Sequence, residues 1–355
     1  MSSIDELCGT ARALVDSGAT PACQLAVARD NEILCFETFS TGEQGAASND
    51  TRFCVFSATK PIVASAIWLL IGEGVLDVSR PVAHYIPEFA TNGKEHITVE
   101  QVLLHTAGFP KAPMDRVEGA DSVPRVKRFT EWTLEWEPGT RFEYHGLSAH
   151  WVLAELIERL SGDDFRDYIE ARVSEPLGLP RLLGIPEEEQ DGIADGVLYG
   201  EPNLDDIMDP LEMNTSAVRA AGVPGGGGIM TAETMARFYQ AVLNNRSGLW
   251  DTDVLRDAKT NIRCTFEDPL MHVGANRTIG LVLAGDDGLH QFRYAMFGKD
   301  NSPGSFGHGG AFCQVAWADP ATGVSFAFLK NGWQTDMFAD AINVLPLSDL
   351  ASSLS

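Results

Sequence analysis

Apolar residues Ile4, Leu7, Ala11, Leu14 and Val15 recur at helical spacing, which predicts a short amphipathic helix over residues 4–17. Two strand-like runs follow at 22–28 and 33–39, with Asp30-Asn31 between them as a hairpin signal. Residues 40–51 are polar and contain glycine. Ile62, Val63, Ala66, Ile67, Leu69 and Leu70 then fall at helical positions in an almost wholly apolar run that Gly74 ends, so a buried helix is expected. Pro61 fits that helix only at its start, because an interior proline would break it. A loop-rich segment carries Leu76, Val78, Val82, Tyr85, Ile86 and Pro87. Thr98 caps a further helix that runs through Leu103 and Leu104 to His105-Thr106-Ala107-Gly108. Residues 109–140 read as irregular. Helices are predicted at 151–160 and 165–173, and the acidic stretch 187–213 as weakly structured. Four glycines, Gly225 to Gly228, precede a helix at 232–243. From Thr278 the pattern turns to strands at 280–284, 311–318 and 324–329, before a last helix at 336–344.

Strands therefore lie at both ends and helices in the middle. The expected organisation is an α/β domain made of 1–55 and 255–355, a mainly helical domain of 56–254 inserted between, and a site at their interface. A length of 355 residues suits one large or two intimate domains, and 44% apolar with 21% charged residues is ordinary for a globular protein. No apolar run reaches membrane-spanning length. The start, Met1 to Cys8, has no basic region and no long apolar stretch, so a cytoplasmic protein is expected. Six cysteines without a C-x-x-C pair are expected as buried thiols in a reducing compartment. A net charge of −24 argues against nucleic acid and anionic membranes as partners, although solubility alone accounts for it as well.

The candidate chemistry centres on Ser57-Ala58-Thr59-Lys60, a Ser-x-x-Lys that occurs once. Ser57 sits at or near the start of the predicted helix, where free N–H groups and partial positive charge gather. Lys60 is one turn on, on the same face. Such a pair can make an activated nucleophile, with Lys60 as base if burial lowers its pKa. A capping serine and a surface lysine would give the same letters. Tyr144, in Glu137-Pro138-Gly139-Thr140-Arg141-Phe142-Glu143-Tyr144-His145-Gly146, could trade a proton with Ser57 and a leaving group, or be a half-buried packing residue. His308-Gly309-Gly310-Ala311 opens an expected strand. Its glycines let a substrate lie close to the backbone, and the Ala311 N–H could join that of Ser57 in an oxyanion hole. A plain glycine turn before a strand is the alternative. His145 is a candidate substrate contact only as the neighbour of Tyr144.

These segments, in this order, resemble the serine β-lactamase and penicillin-recognising superfamily, in particular its class C-like branch with the family VIII carboxylesterases and D-stereospecific peptidases. Ser57-Ala58-Thr59-Lys60 matches Ser-x-x-Lys, Tyr144-His145-Gly146 stands in the place of Tyr-x-Asn, and His308-Gly309-Gly310 in that of Lys-Thr-Gly. Gly74-Val75-Leu76-Asp77, Leu103-Leu104-His105-Thr106-Ala107-Gly108 and Pro176-Leu177-Gly178-Leu179 agree as well. The resemblance implies an α/β + α two-domain fold with an antiparallel sheet flanked by helices. Gly146 replaces an asparagine, His308 a lysine and Gly309 a hydroxyl residue that help hold a β-lactam. Family VIII esterases vary at these places, so the departures favour an ester hydrolase.

The expected activity is hydrolysis of neutral carboxylic esters through an acyl-enzyme on Ser57. It needs no metal or cofactor, takes a small-molecule substrate, and leaves the oligomeric state open. The rivals are a β-lactamase or D-amino-acid amidase or peptidase of the same superfamily, and a scaffold that keeps the fold without turnover. No His-Glu-x-x-His, zinc-spaced Cys/His cluster, P-loop, G-x-G-x-x-G or G-x-S-x-G competes.

Overall fold

The computed structural model describes residues 3–42, 46–200, 209–293 and 297–354. Parts of the predicted polar and acidic stretches, at 43–45 and 201–208, lie outside the described residues, as do Met1 and Ser2. Strands β1 (Ala22–Arg29) and β2 (Glu32–Ser40) form the expected hairpin. Asp30 and Asn31 both take left-handed backbone, at φ 55° and 68°, as a tight two-residue hairpin turn requires. Short strands β3 (Phe53–Cys54), β4 (Val197–Tyr199) and β5 (Ile229–Met230) follow. The C-terminal part supplies β6 (Val282–Leu283), β7 (Phe306–Gly307), β8 (Val315–Asp319), β9 (Val324–Lys330) and β10 (Gly332–Gln334). Six of these strands make one antiparallel sheet in the order β2-β1-β9-β8-β7-β6, so both ends of the chain build it.

The sheet's two faces differ in side-chain size. Leu25, Val27, Trp317, Phe326 and Phe328 share one apolar cluster with Leu7, Ala11 and Val15 of the first helix (Ile4–Asp16) and Val344, Leu347 and Ala351 of the last. Alternate residues Ala26, Ala28, Ala316, Ala318 and Ala327 face the other way, into a cluster with Met235, Ala236 and Tyr239. That face of methyl groups lets the helix Ala232–Asn244 pack closely on β1, β8 and β9. The same cluster continues through Ile62, Ile67 and Trp68 into the helices of the middle of the chain.

The helix Lys60–Gly72 is buried around its whole circumference from Lys60 to Leu70, the state an all-apolar helix requires. It packs on the helix Ser148–Ser161. Thr98 caps Val99–Leu103 in a full capping box with Gln101, as predicted.

Several expectations change. Residues 109–140 contain the helix Ser122–Glu131, whose cap Asp121 accepts from the Val123 N–H. Within 187–213, β4 pairs in parallel with β10. A helix at Thr252–Thr260 was not read from the sequence. The strand expected at 311–318 begins only at Val315, because Phe312 and Cys313 both have φ 56° and turn the chain back on itself. The last helix runs to Ser352 through Pro346, because its buried face continues past the proline at Leu347 and Ala351. Five cysteines are buried and Cys8 is partly exposed; Cys8 and Cys35 approach to 3.6 Å between sulfurs. Among the described residues, no helix is long and apolar enough to cross a membrane.

Candidate active site

Strand β3 delivers the chain to Ser57. It pairs with β5, and the Val55 N–H donates to the Gly228 carbonyl at 2.9 Å. Phe56 then adopts φ 46°, ψ −133°, a strained backbone for a bulky residue. Its ring is held edge-on to Phe312 and Trp333, at 5.1 and 4.8 Å between centroids. Ser57–Thr59 form a single tight turn, so the helix proper starts at Lys60 with Pro61 in its first positions. Thr59 fastens this turn: its hydroxyl donates to the Phe56 carbonyl at 2.6 Å and accepts from the Gly228 N–H at 2.8 Å. A Cβ at Gly228 would lie 2.6 Å from the same hydroxyl, so glycine is required there.

Lys60 is buried. Its Nζ lies 2.9 Å from Ser57 Oγ, 2.8 Å from the Gly146 carbonyl and 2.6 Å from the Gly225 carbonyl. Burial, reinforced by the Arg277 guanidinium, holds this amine well below the usual lysine range. A neutral amine has two N–H groups and one lone pair. The two carbonyls can only accept, so they take the N–H groups, and the lone pair is left for the Ser57 hydroxyl. The arrangement can therefore remove the serine proton.

Tyr144 sits in the loop before the helix Ser148–Ser161, half-buried, with Lys60 Nζ 4.9 Å from its ring centroid. His105 lies against the ring at 4.7 Å and His308 at 6.1 Å. Ser57, Lys60, Tyr144 and His308 are thus brought together. The turn bearing Ala311 is held close to Ser57: the rings of Phe312 and Phe56 touch, and a Cβ at Gly310 would collide with the Val55 carbonyl. Ala311 is exposed and lies in this turn, closed by the Gly310 N–H donating to the Gln314 carbonyl at 2.7 Å.

Both candidate histidines are buried. His308 is hydrogen-bonded to protein groups. Its Nε2 accepts from Arg277 Nη1 at 2.9 Å, which leaves Nδ1 to donate to the Gly309 carbonyl at 2.7 Å. Burial, then the Arg277 charge, keeps this imidazole neutral. His145 is held by neighbouring backbone groups. Its Nε2 accepts from the Phe109 N–H at 3.1 Å, its Nδ1 lies 2.6 Å from the Glu143 carbonyl, and its ring packs on Phe109 and Trp136.

His145 also makes the fold acid-sensitive. Burial lowers its pKa to about 4. In the unfolded chain an imidazole takes its proton near pH 6.5, so the unfolded state gains protons first as pH falls, and stability drops between 6.5 and 4. The expected loss from this residue is about 2 kcal/mol at pH 5 relative to pH 7. Urea midpoints at the two pH values check it. His145→Gln should lower stability at pH 7 but flatten the pH slope, and an unchanged slope would remove His145 as a source.

Arg277 and the glycine carbonyls were missed in the sequence. Arg277 is buried, with its guanidinium carbon 5.2 Å from the Tyr144 ring centroid and 5.5 Å from that of Phe142. Nothing in Asn276-Arg277-Thr278 marks it. Gly225–Gly228 did carry a signal, because dense glycine in an otherwise apolar stretch marks close backbone approach. Among the described residues there is no group of three or more side chains suited to hold a metal ion.

A profile of the beta-lactamase family matches residues 9–348. Esterase/beta-lactamase LipL of Mycobacterium tuberculosis is 26% identical over 314 residues, covering 80% of this chain and 70% of that protein. Esterase EstB of Burkholderia gladioli is 27% identical over 344 residues, covering 86% of this chain and 84% of that protein. The crystal structure of a family VIII carboxylesterase superposes with a TM-score of 0.80 at 20% identity, over 97% of this chain and 96% of that one.

Proposed function

The chain belongs to the beta-lactamase family, and from that premise we propose that it is a serine hydrolase of neutral carboxylic esters working through an acyl-enzyme. Ser57 Oγ attacks the ester carbonyl while Lys60 takes its proton. Tyr144 passes a proton to the departing alcohol oxygen. The N–H groups of Ser57 and Ala311 hold the oxyanion, and a water molecule then releases the acid and restores Ser57. The observation that carries this reading is the 2.9 Å contact of Ser57 Oγ with a buried amine whose N–H groups two carbonyls engage.

The choice of esters rests on what the site lacks. His308 is turned to Arg277, and Gly146 and Gly309 have no side chains, so these positions offer a β-lactam no cation, amide or hydroxyl. Uncharged esters need none of these groups. Both named relatives are esterases, one of them also called a β-lactamase, which supports the reading.

Turnover of p-nitrophenyl acyl esters of graded chain length, measured beside a chromogenic cephalosporin at pH 7, tests it. Short neutral esters should be hydrolysed well and the cephalosporin slowly or only to a stable acyl-enzyme. Faster hydrolysis of the cephalosporin than of the butyrate ester at equal concentration would overturn the ester reading.

A further inference from the structure

The third motif here has a neutral histidine where the resembled superfamily carries a lysine, and the cation bonded to that histidine comes from another part of the chain. Arg277 comes from the segment between the helix Thr252–Thr260 and β6. Its backbone is bracketed by Cys264, with the Arg277 N–H donating to the Cys264 carbonyl at 3.0 Å and the Cys264 N–H to the Arg277 carbonyl at 3.1 Å. Its side chain reaches His308 Nε2 at 2.9 Å and lies over the rings of Phe142 and Tyr144. His308 is in turn fixed through Nδ1 to the Gly309 carbonyl, next to the turn that carries Ala311. Lys60 and Arg277 thus lie within 4.9 and 5.2 Å of one phenol ring's centroid.

We propose that Arg277 is a positioning residue for the proton relay: its guanidinium, aimed by His308 across the Tyr144 ring, supplies the positive charge that favours the deprotonated Lys60–Tyr144 pair and so readies Ser57 for attack. This rests on the reading of Ser57 as nucleophile. Among the described residues, the groups that face the relay include Lys60 from the nucleophile helix, Arg277, His308, His105 and His150, with Cys264 packed near Phe142. Glu143, beside Tyr144, pairs with Arg141 at 3.0 Å. The histidines are buried and neutral, so they carry little charge of their own at pH 7. The Arg277 guanidinium adds to burial in depressing the Lys60 amine. An arginine suits the task because it stays charged when buried and its planar fork can meet an imidazole nitrogen and lie on a ring together.

The test is the pH dependence of Ser57 labelling by a fluorophosphonate, measured with kcat/KM for a p-nitrophenyl ester on the full chain. Arg277→Gln should move the acid limb of both profiles upward by about one to three pH units. Arg277→Lys should keep the limb close to that of the unaltered protein, because the charge remains. His308→Gln, which loosens the aim but not the charge, should move the limb the same way by less. A purely structural role would lower the plateau and leave the limb in place, and that result overturns the proposal. If Arg277→Gln fails to fold, an unmoved limb in His308→Gln overturns it. Labelling of Ser57 without ester turnover would remove the esterase reading alone, whereas absence of labelling in the unaltered protein would remove both.

Discussion

Ser57→Ala is expected to lower ester kcat by at least about 10⁴-fold, the scale seen when a covalent nucleophile is removed from a site whose other parts stay in place. Fold and substrate binding should survive. The Ser57 hydroxyl is not what shapes the turn: the Thr59 hydroxyl bonds to Phe56 and Gly228 do that, together with the Val55 N–H to Gly228 bond. KM for the ester should therefore change little while kcat collapses, and one equivalent of fluorophosphonate label should disappear. Labelled peptide mapping provides the check. If the variant still takes up one equivalent at another serine, the nucleophile is elsewhere.

Lys60→Met should lower kcat by about 10²–10⁴-fold, the usual contribution of a positioned base. Methionine roughly keeps the side-chain volume, so the apolar wall of the helix Lys60–Gly72 remains filled. It offers the Gly146 and Gly225 carbonyls no donor. Each then loses the bond that Lys60 makes, so the melting temperature should fall as well, by an amount that reflects about 1–3 kcal/mol for each acceptor that no water reaches. Tyr144→Phe should lose kcat on the same scale without that loss of stability. Because both act on one proton, the double variant should fall short of the product of the two single losses. Losses that multiply fully would mean that Lys60 and Tyr144 work separately. Folding is followed by circular dichroism, so that lost activity is not mistaken for lost structure.

The parts of the site that were legible in sequence are those that helix spacing fixes. Ser57 and Lys60 are one turn apart whatever the rest of the chain does, and the sheet hairpin follows from two residues that tolerate left-handed backbone. His145 shows where adjacency misleads. In the loop before the helix Ser148–Ser161, neighbouring residues meet different partners: Tyr144 lies by Lys60, whereas His145 bonds to Phe109. His308 could be read as part of the third motif, but its direction depends on Arg277, which only the fold brings near. The acceptors that hold Lys60 had no letter to read, because they are backbone carbonyls. The strand expected at Ala311 failed because two successive left-handed residues of ordinary type, Phe312 and Cys313, have no signature in composition.

The alanine face of the sheet sets a distance on which the surroundings of Ser57 and Lys60 depend. The helix Ala232–Asn244 rests on the methyl groups of Ala26, Ala28, Ala316, Ala318 and Ala327, and its first N–H is tied to Gln24 of β1 at 3.0 Å. Directly before that helix come β5 and the Gly225–Gly228 run, which hold β3, Thr59 and Lys60. These alanines are fully buried, so a larger side chain on that face would overpack it and push on the helix. The displacement would travel along one stiff route, helix to β5 to glycine run, and arrive as a longer gap between the Gly225 carbonyl and the Lys60 amine. A valine placed far from Ser57 on this face would thus detune the base while leaving every catalytic side chain in the sequence.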